Sequence, residues 1–183
     1  MPIVVSLLRG INVGGHNKIR MADLRDLYIA LGMRNPRTIL QSGNVVFACE
    51  EGKLARAKGR IEAGIQEHFG LDVQVILRSS AEFRAVIDKR PFSDLQLEEP
   101  RKAAIVFLTA VVDGTAVEQL RENNPGREAI VGADRELFVY YTDGMARSKL
   151  DNKRMERALG VGTTMRNWNT CQRILKLLDE FDS

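Results

Sequence analysis

The sequence predicts an α+β protein made of two ferredoxin-like halves in tandem, residues 1–90 and 91–183, with an extra helix closing the second. Two observations predict this. Short apolar runs alternate with stretches whose apolar residues recur every three or four positions, and through the first half the order is strand, helix, strand, strand, helix, strand. The same order then starts again after a turn-rich stretch from Arg90 to Pro100. Sequence identity between the halves is weak, so the repeat rests on element order.

In the first half, Ile3 to Leu8 is apolar except for Ser6, the pattern of an interior strand buried on both faces. Leu24, Leu27, Tyr28 and Leu31 carry helical spacing, with Gly32 as the stop. Thr38 to Gln41 and Val45 to Ala48 flank Ser42-Gly43-Asn44 as a hairpin. A helix over Lys53 to Phe69 follows, its stripe Ala57, Ile61, Ile65 and Phe69, and Val73 to Arg78 reads as the fourth strand. Ser79 to Asp88 is a connecting helix.

In the second half, Ala103 to Leu108 is a buried strand and Gly114 to Asn123 a helix starting after Asp113. Glu128 to Val131 and Glu136 to Tyr141 form a hairpin around Ala133-Asp134-Arg135. Ser148 to Leu159 is helical, with Ser148 and Asp151 spaced as a capping box, and Thr163 to Met165 is a short last strand. The final helix runs from Asn169, with Gln172 three positions on. It carries Cys171, Ile174, Leu175, Leu178 and Phe181 on one face.

An apolar share of 44% supplies a core, and 28% charged residues of mixed sign argue against global disorder. The net charge of +3 permits a nucleic-acid partner without requiring one. Cys49 and Cys171 stand far apart with no metal-ligand spacing, as free thiols in a reducing cytoplasm would. The apolar start is too short for a signal peptide or a spanning helix, so neither export nor a membrane partner is expected. No bound metal or cofactor is expected, since HExxH, paired Asp-x-Asp and His–Cys spacings are all missing.

Three clusters carry possible chemistry. Arg9, Asn12, Gly14, Gly15 and Lys18 occupy a strand-to-helix connection, where glycines let backbone approach an anion and the cations supply charge. The other reading is a loop whose glycines serve turn geometry. Neither Walker nor dinucleotide fingerprint is present. Gln41, Ser42 and Asn44 sit at a hairpin tip, where turn chemistry outweighs catalysis because no nucleophile elbow surrounds Ser42. The third cluster is Arg147, Ser148 and Lys149 with Arg166, Asn167, Trp168 and Asn169. Between Met145 and Lys176 eight basic residues face two acids, a local charge of +6. Trp168 beside Arg166 suits stacking on a base and gripping its phosphate, or else anchors the last helix in the core. These residues are expected to gather around a phosphate-bearing ligand, a nucleotide or nucleic acid foremost. A small phosphorylated metabolite and a protein scaffold are the alternatives. No reaction is readable from them.

Several stretches resemble one bacterial family, the domain of unknown function numbered 1697: Leu7 to Gly15, Asn17 to Met21, Gln41 to Phe47, Arg135 to Gly144, Arg147 to Leu150 and Thr163 to Thr170. The resemblance spans nearly the whole chain and implies two ferredoxin-like halves, with no catalytic residues to carry over. His16, Arg20 and Cys171 depart from the lysine, proline and valine usual there.

Overall fold

The computed structural model describes residues 1–182, the side chains of Ala133 and Asp182 excepted. The fold is mixed α+β with two antiparallel sheets. It divides into two compact units, one of residues 1–85 with 173–183 and the other of residues 86–172.

In the first unit the order is β1 (Ile3–Leu8), α1 (Met21–Ala30), β2 (Arg34–Ile39), β3 (Asn44–Ala48), α2 (Glu51–Phe69) and β4 (Val75–Ser79), after which α3 (Ser80–Asp88) begins. The strands lie in the order β2-β3-β1-β4, every neighbour antiparallel. β1 is interior, as its apolar run requires, and Val4 through Leu8 are buried. Val4, Leu8, Val45, Phe47 and Val75 pack with Leu24, Leu27 and Tyr28 of α1 and with Ala57, Ile61 and Ile65 of α2. Ser6, the one polar residue of β1, is buried and shares a 2.7 Å hydrogen bond with the Tyr28 hydroxyl, so burial leaves neither group unsatisfied. α2 ends where expected, at Gly70 in the left-handed region, whose N–H bonds Gln66 O.

β2 starts earlier than the apolar pattern indicates. It opens at Arg34 and carries Pro36, tolerated because β2 is an edge strand whose register shifts between Arg34 and Arg37. The end of the chain belongs to this unit. Arg37 Nη1 pairs with Glu180 at 3.0 Å and lies over the Phe181 ring, and Arg84 Nη1 pairs with Asp179 at 2.7 Å.

The second unit holds α4 (Asp94–Leu97), β5 (Ala103–Val112), α5 (Gly114–Glu122), β6 (Ala129–Tyr140), α6 (Asn152–Leu159), β7 (Thr163–Asn167) and the start of α7 (Trp168–Asp182). Its sheet order is β6-β5-β7. β6 doubles back on itself. A Cβ on Gly132 would lie 2.6 Å from the Glu136 carbonyl oxygen, whereas a straight strand rises about 3.3 Å per residue and would hold the two far apart. The hairpin expected around Ala133-Asp134-Arg135 therefore lies inside β6, with Asp134 at φ 62°.

The two sheets repeat one register. Ile3↔Ala48 through Leu7↔Asn44 in the first matches Ala103↔Tyr140 through Phe107↔Glu136 in the second. Val4↔Ser79 through Leu8↔Val75 matches Ala104↔Asn167 through Leu108↔Thr163.

Boundaries in the second unit also differ from the sequence reading, β5 running on to Val112 where Leu108 was the expected end. Inside the expected linker, Ser93 and Gln96 form a full capping box that starts α4. α6 begins at Asn152, capped by Asp151 and not by Ser148. β7 runs on to Asn167, two residues beyond the expected strand. α7 begins at Trp168, with Asn167 Oδ1 accepting from the Thr170 amide at 2.9 Å, so Asn169 is not the cap.

Candidate functional site

The connection after β1 is a small protruding turn. Val13 and His16 form a bridge around Gly14 and Gly15, whose φ values of 56° and 81° give the doubly positive turn that pairs of glycines favour. Asn12 ties its base. Its Nδ2 donates to Ile19 O at 2.9 Å and Gln41 O at 2.8 Å, and its Oδ1 accepts from the Ile19 amide at 2.9 Å. Asn17 Nδ2 donates to Gly10 O, and the Asn12 and His16 amides are taken by Asn17 O and Val13 O. Polar groups that an anion would use are spent holding the turn. Asn12, proposed as a ligand contact, is thus a clamp with its amide hydrogens committed. Asn44 does similar work: it is buried, and its Nδ2 donates to Ile39 O and Ser42 Oγ. Lys18, Gln41, Gly14 and Gly15 are exposed, while Arg9 and Ser42 are half-buried.

The second-unit residues divide. Arg166 is buried in β7, because the strand continues past Met165 and carries it into the sheet. Its Nη1 donates to Thr164 Oγ1 and Met165 O, both at 2.9 Å, and burial pulls its guanidinium pKa down to about 10. Ser148 Oγ bonds the Glu128 carboxylate and accepts from the Leu150 amide. Asn167 is the cap already described. Arg166, Ser148 and Asn167 therefore have structural duties that account for them. Trp168 is half-buried, edge-on to Phe92 with ring centroids 5.5 Å apart.

Arg147 and Asn169, which come from different motifs of the sequence, line one cavity of about 590 Å³. Arg101, Lys102, Glu98, Glu99 and Asp143 share its wall, and Met145–Arg147 cross it as a single 3-10 turn. Two of the three carboxylates, Asp143 and Glu99, are engaged. Arg127 bonds Asp143 and, through that hydrogen bond, holds its pKa below the usual range, while Lys102 Nζ bonds Glu99 at 2.8 Å and is itself raised by that bond. Among the described residues Arg101 and Arg147 make no ion pair, although the Arg147 charge helps lower the Asp143 pKa through space, and both guanidinium groups border the cavity. Lys149, two residues beyond Arg147 in sequence, is exposed. Arg101 and Lys102 were missed because E-E-P-R-K reads as solvated linker. A mixed charge run at the foot of a strand was the available signal.

Among the described residues no group of three or more metal-ligating side chains gathers, and no helix is long and apolar enough to cross a membrane.

No curated protein matches the chain. Among solved structures it is similar to the conserved bacterial protein SP0830 from Streptococcus pneumoniae. The identity is 22% and the TM-score 0.70, over 97% of this chain and 98% of that one, a likeness of fold. The family model described as Protein of unknown function (DUF1697) matches residues 1–138. The chain belongs to that family.

Proposed function

We propose that the protein binds a phosphate-bearing ligand, a nucleotide foremost, in the cavity lined by Arg147 and Asn169, and that it does so in the cytoplasm. The observation that carries this is the meeting of those two residues with Arg101 around one space of about 590 Å³. That volume suits a small ligand better than a polymer, since ligand cavities run from about 300 to 1,000 Å³. Guanidinium groups outside any ion pair are suited to bidentate phosphate contacts.

The wider architecture we read as two ferredoxin-like units in tandem. The β2-β3-β1-β4 order and the register shared by both sheets support that reading. In this reading the first-unit turn at Arg9 to Lys18 is a secondary contact at most.

Thermal unfolding in the presence of pyrophosphate, ribose 5-phosphate and a nucleotide panel tests the proposal. A ligand at a hundred times its Kd adds about 2.7 kcal/mol of stability. Arg147→Ala and Arg101→Ala should abolish the shift without lowering the melting temperature of the free protein. A flat panel, or a shift indifferent to both substitutions, refutes the assignment.

A further inference from the structure

A second cavity, of about 450 Å³, lies beside the first turn of α7 and is lined by Trp168, Phe92, Leu97, Asp88, Arg90 and Gln172. Its composition differs from that of the phosphate cavity. Phe92 is buried, stands edge-on to Trp168 with the planes at 81°, and is itself backed edge-on by Phe138 at 6.3 Å. That perpendicular contact holds the indole in place, and Trp168 and Phe92 both line the cavity. Around it, Asp88, Arg90 and Gln172 make no side-chain hydrogen bond or ion pair among the described residues. An aromatic and apolar lining with uncommitted polar groups at its margin matches a planar ring with a hydrogen-bonding edge.

Residues adjacent in the chain line the two cavities. Leu97 lines one and Glu98 the other; Trp168 lines one and Asn169 the other. Consecutive Cα atoms are about 3.8 Å apart, so in two places the linings stand one residue step apart along the chain. A ligand with a flat ring at one end and phosphate at the other could occupy both.

We propose that the Trp168 cavity is a nucleobase subsite selective for guanine, resting on the phosphate-site reading for the placement of the ligand's other end. Asp88 supplies the selectivity. An ionised carboxylate only accepts hydrogen bonds, and guanine presents two adjacent donors, the ring N1–H and the exocyclic amine. Uracil and cytosine present fewer donors on that edge, and adenine has no ring N–H there. Gln172, donor and acceptor in one group, accommodates the remaining edge.

Trp168 is the only tryptophan of the chain, so its fluorescence reports stacking directly. Guanosine, adenosine, cytidine and uridine, none carrying phosphate, are titrated into the intact protein with fluorescence and calorimetry in parallel. The expected result is quenching by guanosine at the lowest concentration. Calorimetry on Trp168→Leu should show affinity about ten- to a hundredfold weaker. Asp88→Asn, at an exposed position, should cost about tenfold for guanosine and leave uridine unchanged. No quenching by any nucleoside, equal response to all four, or binding unaffected by both substitutions overturns the proposal. Ribose 5-phosphate and pyrophosphate, run alongside, separate the two sites. Their binding without guanosine's leaves the phosphate cavity standing and removes this one, while guanosine binding without theirs does the reverse.

Discussion

The Glu62 carboxylate in α2 accepts a 2.8 Å hydrogen bond from the backbone N–H of Val75, the first residue of β4. The second unit repeats the arrangement: Glu156 of α6 accepts from the amide of Thr163, the first residue of β7, also at 2.8 Å. Each pins the start of a last strand to the helix before it. Glu62→Ala should cost about 1–3 kcal/mol in urea unfolding, because a partly buried amide loses its acceptor. Glu62→Gln, which keeps a neutral acceptor, should cost less than half as much. Equal stability of all three proteins would mean that water replaces the carboxylate freely.

Asn12 is predicted to hold the Val13–His16 turn more through hydrogen bonds than through its backbone angle. Its φ of 54° favours Asn or Gly, so Asn12→Gly preserves the conformation while deleting the side-chain bonds. The loss should be about 1–3 kcal/mol. Hydrogen exchange at the Ile19 amide, which donates to Asn12 Oδ1, should quicken in the same variant. Unchanged protection there would show the turn standing without its clamp.

Glu128 gives the protein an acid-sensitive point. Burial pushes its carboxyl pKa up, but hydrogen bonds from Ser148, Asn124 and its own backbone outweigh burial and leave it below the ordinary value. A folded pKa below the unfolded one contributes stability above the unfolded value, about 4.3, and that contribution fades as pH falls through the folded one. Glu128→Gln should therefore be less stable than the parent at pH 7, and the gap should close as the pH is lowered below about 4. Denaturant midpoints measured from pH 7 down to pH 3 check this. A gap that stays constant would assign the loss to packing and not to charge.

Burial of Val4 to Leu8 in β1 and the Ala57-Ile61-Ile65 stripe of α2 were legible because apolar periodicity is a local signal, and both sit where the pattern puts them. Asp113 was legible for the same reason: a cap is decided within four residues, and its side chain accepts from the Ala116 amide. Failures came where a distant partner decides. Ser148 and Asp151 are both good caps, and only the position of Glu128, twenty residues upstream, takes the Ser148 hydroxyl away from α6. Pro36 looks like a strand breaker until β2 is known to be an edge. Arg166 looks like a binding residue until β7 is known to extend beneath it. In the candidate site, Arg147 and Asn169 were legible as polar residues with no packing role. Arg101 was not, since nothing local says that the foot of β5 borders the turn at Met145–Arg147.

The pairing of Arg37 with Glu180 and of Arg84 with Asp179 sets a timetable for synthesis. A ribosome delivers the chain from its N-terminus, and domains made early usually fold while later ones are still being added. Here β1 to β4 can pair early, but the helix segment that their unit recruits is translated only after the whole of the second unit. The first unit must wait, partly assembled, with Arg37 and Arg84 lacking those carboxylates, until its neighbour has been made. Its last step is gated by translation and not by its own sheet.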